Sequence, residues 1–410
     1  MKILIVHNTY QQPGGEDTVF RQERDLLRRT GHDAVTYERS NFEADDYTGL
    51  KRFVLVKDVI WNSSARQEFK QVLRREKPDV VHVHNTFMRI SPSIYGACQD
   101  AGIPVVQSLH NYRLLCPAAN FFRAGKVCEE CMTDGLWRGV SHACYRESST
   151  ATATVAAMLT LHRALGTWQR LVHSYVALSE FSRQRFIAGG LPADKITVKP
   201  NFVDPDPGAR TTDGDYAIFI GRFSEEKGLD TLLAAFEQIR QVPLIIVGDG
   251  PPLERLKAQA DRQQLTNVSF RGRLPRHETW DALKGARFLV LPSECYENFP
   301  MTVAEAFACG VPVICSRLGA MQELVADHQT GIHFNPSDAQ DLAAKVAWAW
   351  SHTSELAQMG RRARLEFEAK YTADKNYLLL MELYQRARGS LPAASRLQPL
   401  AAAVSQSNIH

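Results

Sequence analysis

Residues 217–229 read Ala217-Ile218-Phe219-Ile220-Gly221-Arg222-Phe223-Ser224-Glu225-Glu226-Lys227-Gly228-Leu229. Four apolar residues, a loop bounded by glycines and the start of an amphipathic stretch predict a buried strand, a turn and a helix from about Leu229 to Arg240. The alternation continues with Leu244–Val247, a helix to about Gln264, Val268–Phe270, Phe288–Leu291, a helix from about Met301 to Cys309, and Val313–Cys315. Strands this short and this apolar, separated by helices, belong in a parallel sheet covered on both faces. Toward the amino terminus the same pattern recurs as Ile3–Val6, Gly14-Gly15, a helix before Gly31, Ala34–Tyr37, a helix ending near Arg75, Val80–Val83, a helix to Asp100, and Val105–Leu109. Between the two halves lies Pro200-Asn201-Phe202-Val203-Asp204-Pro205-Asp206-Pro207-Gly208, whose prolines cannot sit inside a helix or a central strand. The expected fold class is therefore α/β, with two doubly wound parallel sheets in tandem.

Composition agrees with two such units. The chain has 410 residues, 44% of them hydrophobic and 23% charged, which favours more than one compact core and excludes wholesale disorder or a fibrous fold. A net charge of +3 is too small to make nucleic-acid backbone binding the default. The longest nearly apolar run, Val155–Leu161, falls short of the roughly 18 residues of a membrane span. The amino terminus lacks a signal-peptide core, so a cytoplasmic protein is expected.

Open parallel sheets bind ligands at the carboxyl ends of their strands, which directs attention to the loops after Val6, Leu109, Ile220, Val247 and Leu291. The loop after Ile220 places Arg222 and Lys227 five residues apart at the mouth of a helix, and two cations beside a helix amino terminus suit a diphosphate. A solvated basic turn is the alternative. After Leu291 comes Pro292-Ser293-Glu294-Cys295-Tyr296-Glu297-Asn298-Phe299-Pro300, then an apolar helix carrying Glu305. One carboxylate in the loop and one on the helix provide acceptors for sugar and ribose hydroxyls, whereas capping or ion pairing would be the structural use of either. After Leu109 stand His110-Asn111-Tyr112-Arg113, and an earlier strand carries Val81-His82-Val83-His84. His82 reads as structural, while His84, at the strand end with Asn85, is open between a loop histidine and the acceptor side.

Taken together and in this order, Gly221-Arg222-Phe223-Ser224-Glu225-Glu226-Lys227-Gly228, the Gly248-Asp249-Gly250-Pro251 turn, and Glu297 with Glu305 after seven intervening residues resemble the retaining, nucleotide-sugar-dependent glycosyltransferases of family 4. That family is built on the GT-B architecture, two Rossmann-like domains facing across a cleft, and the resemblance covers nearly the whole chain to about Arg388. It implies an amino-terminal acceptor domain over residues 1–203, a nucleotide-sugar domain over 204–371, a terminal helix over 372–388 packing back on the first domain, and a disordered tail over 389–410. It implies further that Arg222 and Lys227 hold the donor diphosphate, Glu305 the ribose and Glu297 the transferred sugar. The backbone of Asn298 and Phe299 would touch the same sugar, Gly14 and Gly15 would close on the phosphates, and His110 would meet the donor sugar near the reacting carbon. Where many relatives have glycine, this chain has Pro300, which has no N–H to donate. The implied reaction moves a sugar from a UDP- or GDP-linked donor to a glycan or lipid-linked acceptor, with retention and without a catalytic metal, in polysaccharide or cell-envelope synthesis. The rival readings are a catalytically idle sugar-nucleotide-binding or scaffolding protein and a GT-B sugar-nucleotide epimerase.

An insert at about 112–148 holds Cys116, Cys128, Cys131 and Cys144, with Cys128-Glu129-Glu130-Cys131 as a C-x-x-C pair. Four thiolates in a loop-rich segment suit structural zinc; an iron–sulfur cluster, a redox pair or plain reduced thiols are the alternatives. Cys98, Cys295, Cys309 and Cys315 are isolated and read as small packed side chains. Lys51, Arg52, Lys57, Arg66, Lys70, Arg74 and Arg75 recur with Phe53, Val54, Val56, Ile60, Phe69 and Leu73 between them. This stretch is either an ordinary solvated helix face or a surface that rests on anionic lipid at the inner face of a membrane.

Overall fold

Central strands buried on both faces build the architecture of the computed structural model, which describes residues 1–11, 14–44 and 51–389. The first domain begins with β1 (Lys2–Thr9), α1 (Gly15–Arg29), β2 (Asp33–Ser40), α2 (Lys51–Ile60), α3 (Ser63–Glu76), β3 (Val80–Val83), α4 (Ser93–Asp100) and β4 (Val105–Ser108). The cysteine-bearing insert adds a hairpin, β5 (Phe122–Arg123) with β6 (Lys126–Val127), and two short helices, α5 (Glu130–Thr133) and α6 (Trp137–Ser141). Then follow α7 (Ser149–Ala164), α8 (Thr167–Leu171), β7 (Ser174–Ala177), α9 (Glu180–Ala188) and β8 (Ile196–Val198). The six-stranded sheet runs β2-β1-β3-β4-β7-β8, parallel throughout. Ile3 and Ile5 enter one core while Leu4 and Val6 enter the other, because successive side chains leave opposite faces of the sheet.

The second domain contains β9 (Tyr216–Ile220), α10 (Leu229–Gln238), β10 (Leu244–Val247), α11 (Leu253–Arg262), β11 (Val268–Gly272), α12 (Arg276–Lys284) and β12 (Ala286–Leu291). It continues with α13 (Met301–Ala308), β13 (Val313–Ser316), α14 (Gly319–Leu324), β14 (Gly331–Phe334), α15 (Ala339–Ser351) and α16 (Thr353–Lys370). Its parallel sheet has the order β11-β10-β9-β12-β13-β14. The chain then enters α17 (Ala373–Gly389), which crosses back to the first sheet. There Leu380, Leu383, Tyr384 and Ala387 share a core with Ile3, Val80 and Val106. Residues 390–410 of the expected tail lie outside the described residues.

Two features depart from the sequence expectation. The helix expected to run to Arg75 is two helices, because the Asn62 side chain accepts a hydrogen bond from the Ala65 N–H and so starts α3 afresh. The basic face is also smaller than the sequence suggests. Arg66 and Lys70 both pair with Asp100, at 2.9 and 2.7 Å, and Arg75 pairs with Glu76 at 2.7 Å. The side chains of Lys51, Arg52 and Phe53 lie outside the described residues.

Candidate active site

Each sheet reverses its strand order once, and the crevice at such a reversal collects the loops that follow the two central strands. In the first sheet the reversal lies between β1 and β3, and in the second between β9 and β12. The loop after β9 carries Arg222 and Lys227, and the loop after β12 carries Glu297. They are joined through Gly228, whose φ of +67° and position against Pro292 leave no room for a side chain: a Cβ there would sit 2.0 Å from the Pro292 carbonyl oxygen. The Glu294 N–H donates to the Glu226 carbonyl at 2.8 Å, and Thr231 Oγ1 donates to Glu294 Oε1 at 2.7 Å.

This junction places Lys227 Nζ 2.5 Å from Glu297 Oε1, which also accepts from Ser293 Oγ at 2.7 Å. Burial opposes charge on both groups, yet each holds the other ionised: Glu297 keeps the Lys227 ammonium above the ordinary lysine range, and Lys227 holds the Glu297 carboxyl below the ordinary glutamate range. Arg222 differs. Its side chain is 57% exposed and meets Glu226 at 3.3 Å, so it stands at the rim.

Asn298, next to Glu297, donates its side-chain amide to the Leu109 carbonyl, and its own carbonyl accepts from Ser179 Oγ at 3.4 Å. The loop after β12 is thereby tied to the strand end that carries His110. Phe299 is buried and packs edge-on against Tyr371, with ring centroids 5.7 Å apart. Pro300 is the N-cap of α13. Gly15, at the start of α1, faces this helix start: a Cβ on Gly15 would lie 3.5 Å from Met301 Cγ. Neither Gly14 nor Gly15 has a positive φ, and among the described residues a Cβ would meet nothing within 4 Å at Gly14 and only ordinary contact at Gly15, so neither conformation nor crowding demands glycine here; the Gly14 N–H donates to Asp17 Oδ2 at 2.7 Å.

Glu305 lies one turn into α13. Burial pushes its carboxyl up to about 7, while Arg276 on α12 pulls the other way. Arg276 stacks over Trp280 at 4.5 Å and donates to the Asp204 carbonyl at 2.8 Å. Neither residue was singled out by sequence, because a lone Arg and Trp four positions apart on a helix carry no motif.

His110 stacks on His84 (5.0 Å between centroids) and its Nε2 lies 2.9 Å from His84 Nδ1. His82 is held by Tyr384 of α17 at 2.8 Å and by Ser108 at 2.9 Å. Glu23 and Lys199, both absent from the sequence reading, lie beneath these histidines and pair at 2.6 Å. Glu23, His82 and His84 form the one group of three possible metal-ligating atoms within 4.8 Å among the described residues. Both nitrogens of His82 are already hydrogen-bonded and the Lys199 ammonium neutralises the carboxylate through Oε1, so the group stands as an ion-paired core.

Cys116, Cys128, Cys131 and Cys144 fall in one small subdomain. Burial first, and then the neighbouring thiols, push Cys131 up to about 12. Among the described residues no three of these sulfurs lie within 4.8 Å of one another, so the donor set is gathered but not closed.

The model of the family described as glycosyl transferases group 1 matches residues 204–366, and that of Glycosyltransferase Family 4 matches residues 13–207. Among curated proteins the chain is 31% identical over 178 residues to O-antigen chain mannosyltransferase C of Escherichia coli, covering 43% of this chain and 48% of that protein. It is 32% identical over 160 residues to D-rhamnosyltransferase WbpZ of Pseudomonas aeruginosa, covering 38% and 42%. The matched stretch thus spans about half the length of these relatives, or less. In fold it is similar to Anabaena HepE solved with UDP, at a TM-score of 0.70 and 19% identity over 94% of this chain and 100% of the other. It is also similar to sucrose-phosphate synthase of Thermosynechococcus elongatus, at a TM-score of 0.72 and 18% identity over 95% and 99%. With one family model on each domain and this architecture throughout, the chain belongs to the GT-B glycosyltransferases of the group 1 and family 4 type.

Proposed function

We propose that the protein transfers a sugar from a UDP- or GDP-linked donor to a glycan or lipid-linked acceptor, with retention of anomeric configuration, in polysaccharide or cell-envelope synthesis. The observation that carries this reading is the ion pair of Lys227 and Glu297 at 2.5 Å, set where the loops after β9 and β12 meet. A diphosphate arriving there offers Lys227 a second anionic partner, and it releases Glu297 to accept hydroxyls of the sugar. The charge that grows on the departing diphosphate is met by Lys227, by Arg222 swinging in from the rim and by the start of α13; removing one such fixed donor costs about 3 kcal/mol in comparable sites. A leaving phosphate that takes the acceptor's proton on the same face accounts for retention without a covalent intermediate on Glu297. Relatives named as an O-antigen chain mannosyltransferase and a D-rhamnosyltransferase, and a fold shared with a protein solved with UDP, support the substrate class.

The test is a panel of sugar nucleotides measured for thermal protection and for transfer. A ligand at about 100 times its dissociation constant raises stability by about 2.7 kcal/mol. Glu305 adds a signature. To accept both ribose hydroxyls it must lose the proton that burial favours, so binding releases a proton and affinity climbs as pH rises through about 7. Sugar nucleotides have no ionisation of their phosphates in that window, so protection is expected to be greater at pH 8 than at pH 6, with the difference abolished in Glu305→Gln. Equal protection at both pH values would remove Glu305 from the ribose site, and a panel without any protected or transferred donor would overturn the function.

Peripheral membrane contact belongs to the same proposal. Val54 and Val56 on α2, Leu161 on α7 and Leu165 at the C-cap of α7 are exposed, and these two helices pack together. No described helix is long and apolar enough to cross a membrane. For the insert, the proposal is a structural zinc that draws the four thiolates together and releases their protons. Elemental analysis of freshly purified protein is expected to find about one zinc per chain, and protein free of both zinc and iron would end the metal reading.

A further inference from the structure

Beneath the cleft, the buried groups that face His84 and His110 are His7, His82, Glu23 and Lys199. His7 is bound to Asp17 through Nε2 at 2.9 Å, its Nδ1 is buried without a hydrogen-bond partner and its ring meets that of His84 edge-on at 6.3 Å between centroids, while both nitrogens of His82 are taken by Tyr384 and Ser108. Glu23 Oε1 accepts from the Lys199 ammonium at 2.6 Å. Its other oxygen, Oε2, lies 3.3 Å from His84 Nε2, at an angle outside a well-formed hydrogen bond, and 3.7 Å from His82 Nδ1, which Tyr384 already holds at 2.8 Å; neither Oε2 nor His84 Nε2 has a formed hydrogen bond. Two enclosed polar atoms in that position have only each other to satisfy them. Lys199 and the adjacent imidazoles hold the Glu23 carboxyl well below the ordinary range although burial opposes it, while burial keeps His82, His84 and His110 neutral.

The tautomers then follow by elimination. An ionised carboxylate only accepts, so His84 carries its proton on Nε2 and offers a bare Nδ1. His110 Nε2, 2.9 Å from that Nδ1, must donate, which leaves Nδ1 of a neutral His110 without a proton. His7, His82 and His84 are buried, but His110 is only half-buried, at the strand end beside the Glu297-Asn298 loop. We propose that Glu23, anchored by Lys199, sets the tautomer of His84 and through it that of His110, so that His110 presents Nδ1 as a hydrogen-bond acceptor for a hydroxyl of the bound sugar. Glu23 and His84 are positioning residues; His110 is the residue that meets the substrate, an assignment that rests on the glycosyltransferase reading.

Long-range proton–nitrogen correlation spectra of histidine-labelled protein read the tautomers without any turnover, with His110 assigned from His110→Gln. Both His84 and His110 are expected as the Nε2–H form. In Glu23→Gln combined with Lys199→Met, which removes the pair without stranding a buried charge, the Gln amide can donate to His84. The His110 signal then shifts toward Nδ1–H and kcat falls about 10- to 100-fold, more than donor KM changes. Should that variant fail to fold, His84→Asn and His84→Leu decide the matter: Asn places Oδ1 where Nδ1 stood and recovers most of the turnover that Leu loses. A wild-type His110 protonated at Nδ1, an unchanged tautomer in the double variant, or Asn performing no better than Leu would each overturn the relay. If no donor supports transfer, the functional reading fails by itself, and the spectra still decide the tautomers.

Discussion

Lys227→Ala is expected to lower kcat/KM about 1,000-fold, a loss of about 4 kcal/mol of transition-state stabilisation, and to abolish thermal protection by the donor. Lys227 is the less exposed of the two cations, at 21% against 57% for Arg222, and it is held in place by the loop after β12. A fixed charge needs no reorganisation when the diphosphate departs, whereas Arg222 must first move. The pairing with Glu297 makes a second, opposite expectation available. Glu297→Gln removes the anion that competes for the ammonium, so the free nucleoside diphosphate should bind at least as tightly as to the wild type while turnover falls. A Lys227→Ala protein protected by donor as well as the wild type would refute the assignment, and so would weaker diphosphate binding in Glu297→Gln. Both variants should be compared first without nucleotide, because Lys227→Ala also strands a buried carboxylate.

What the sequence made legible follows from local physics. Leu244–Val247 and Val80–Val83 are uninterrupted apolar runs between turn signals, and both are strands with those bounds. The loops after β9 and β12 were legible because their residues sit next to one another in the chain. β8 was not, since Ile196–Val198 is three residues with a Thr at its centre. β7 begins with Ser and β14 with Gly and contains a His, so neither gives a clean run. The relay beneath His110 was illegible for a different reason: Glu23 and Lys199 are 176 positions apart, and His82 and Tyr384 are 302 apart. Only tertiary packing joins them. One local clue existed. Glu23 lies four residues after Val19 and four before Leu27, on the apolar stripe of α1, where a carboxylate is costly unless a partner awaits it. The same clue was read at Glu305, because a motif drew attention to that helix.

The second large effect concerns Gly248, in the turn after β10. The Gly221 N–H donates to the Val247 carbonyl at 3.1 Å and the Phe223 N–H to the Asp249 carbonyl at 2.8 Å, which clamps the backbone on both sides of Arg222. Gly248 has φ +143°, and a Cβ there would lie 1.8 Å from the Gly221 carbonyl oxygen and 2.8 Å from Phe223 Cε1. Backbone atoms in a hydrogen-bonded ladder cannot yield as a flexible side chain would. Gly248→Ala therefore combines an unfavourable conformation with an overpacked contact, together about 3 kcal/mol or more, and moves the carbonyl next to Arg222. Gly272 separates the two causes: its φ is +65° but a Cβ would meet nothing within 4 Å. Gly272→Ala should cost only the conformational part, about 1 kcal/mol. At about 2–4 °C per kcal/mol for a domain of this size, the second domain should melt about 6–12 °C lower in Gly248→Ala and about 2–4 °C lower in Gly272→Ala. Equal losses would mean that backbone conformation alone fixes glycine at both turns. A larger loss at Gly248, with weakened donor protection in protein still folded below its transition, would show that close approach of the two turns is what holds Arg222 at the diphosphate.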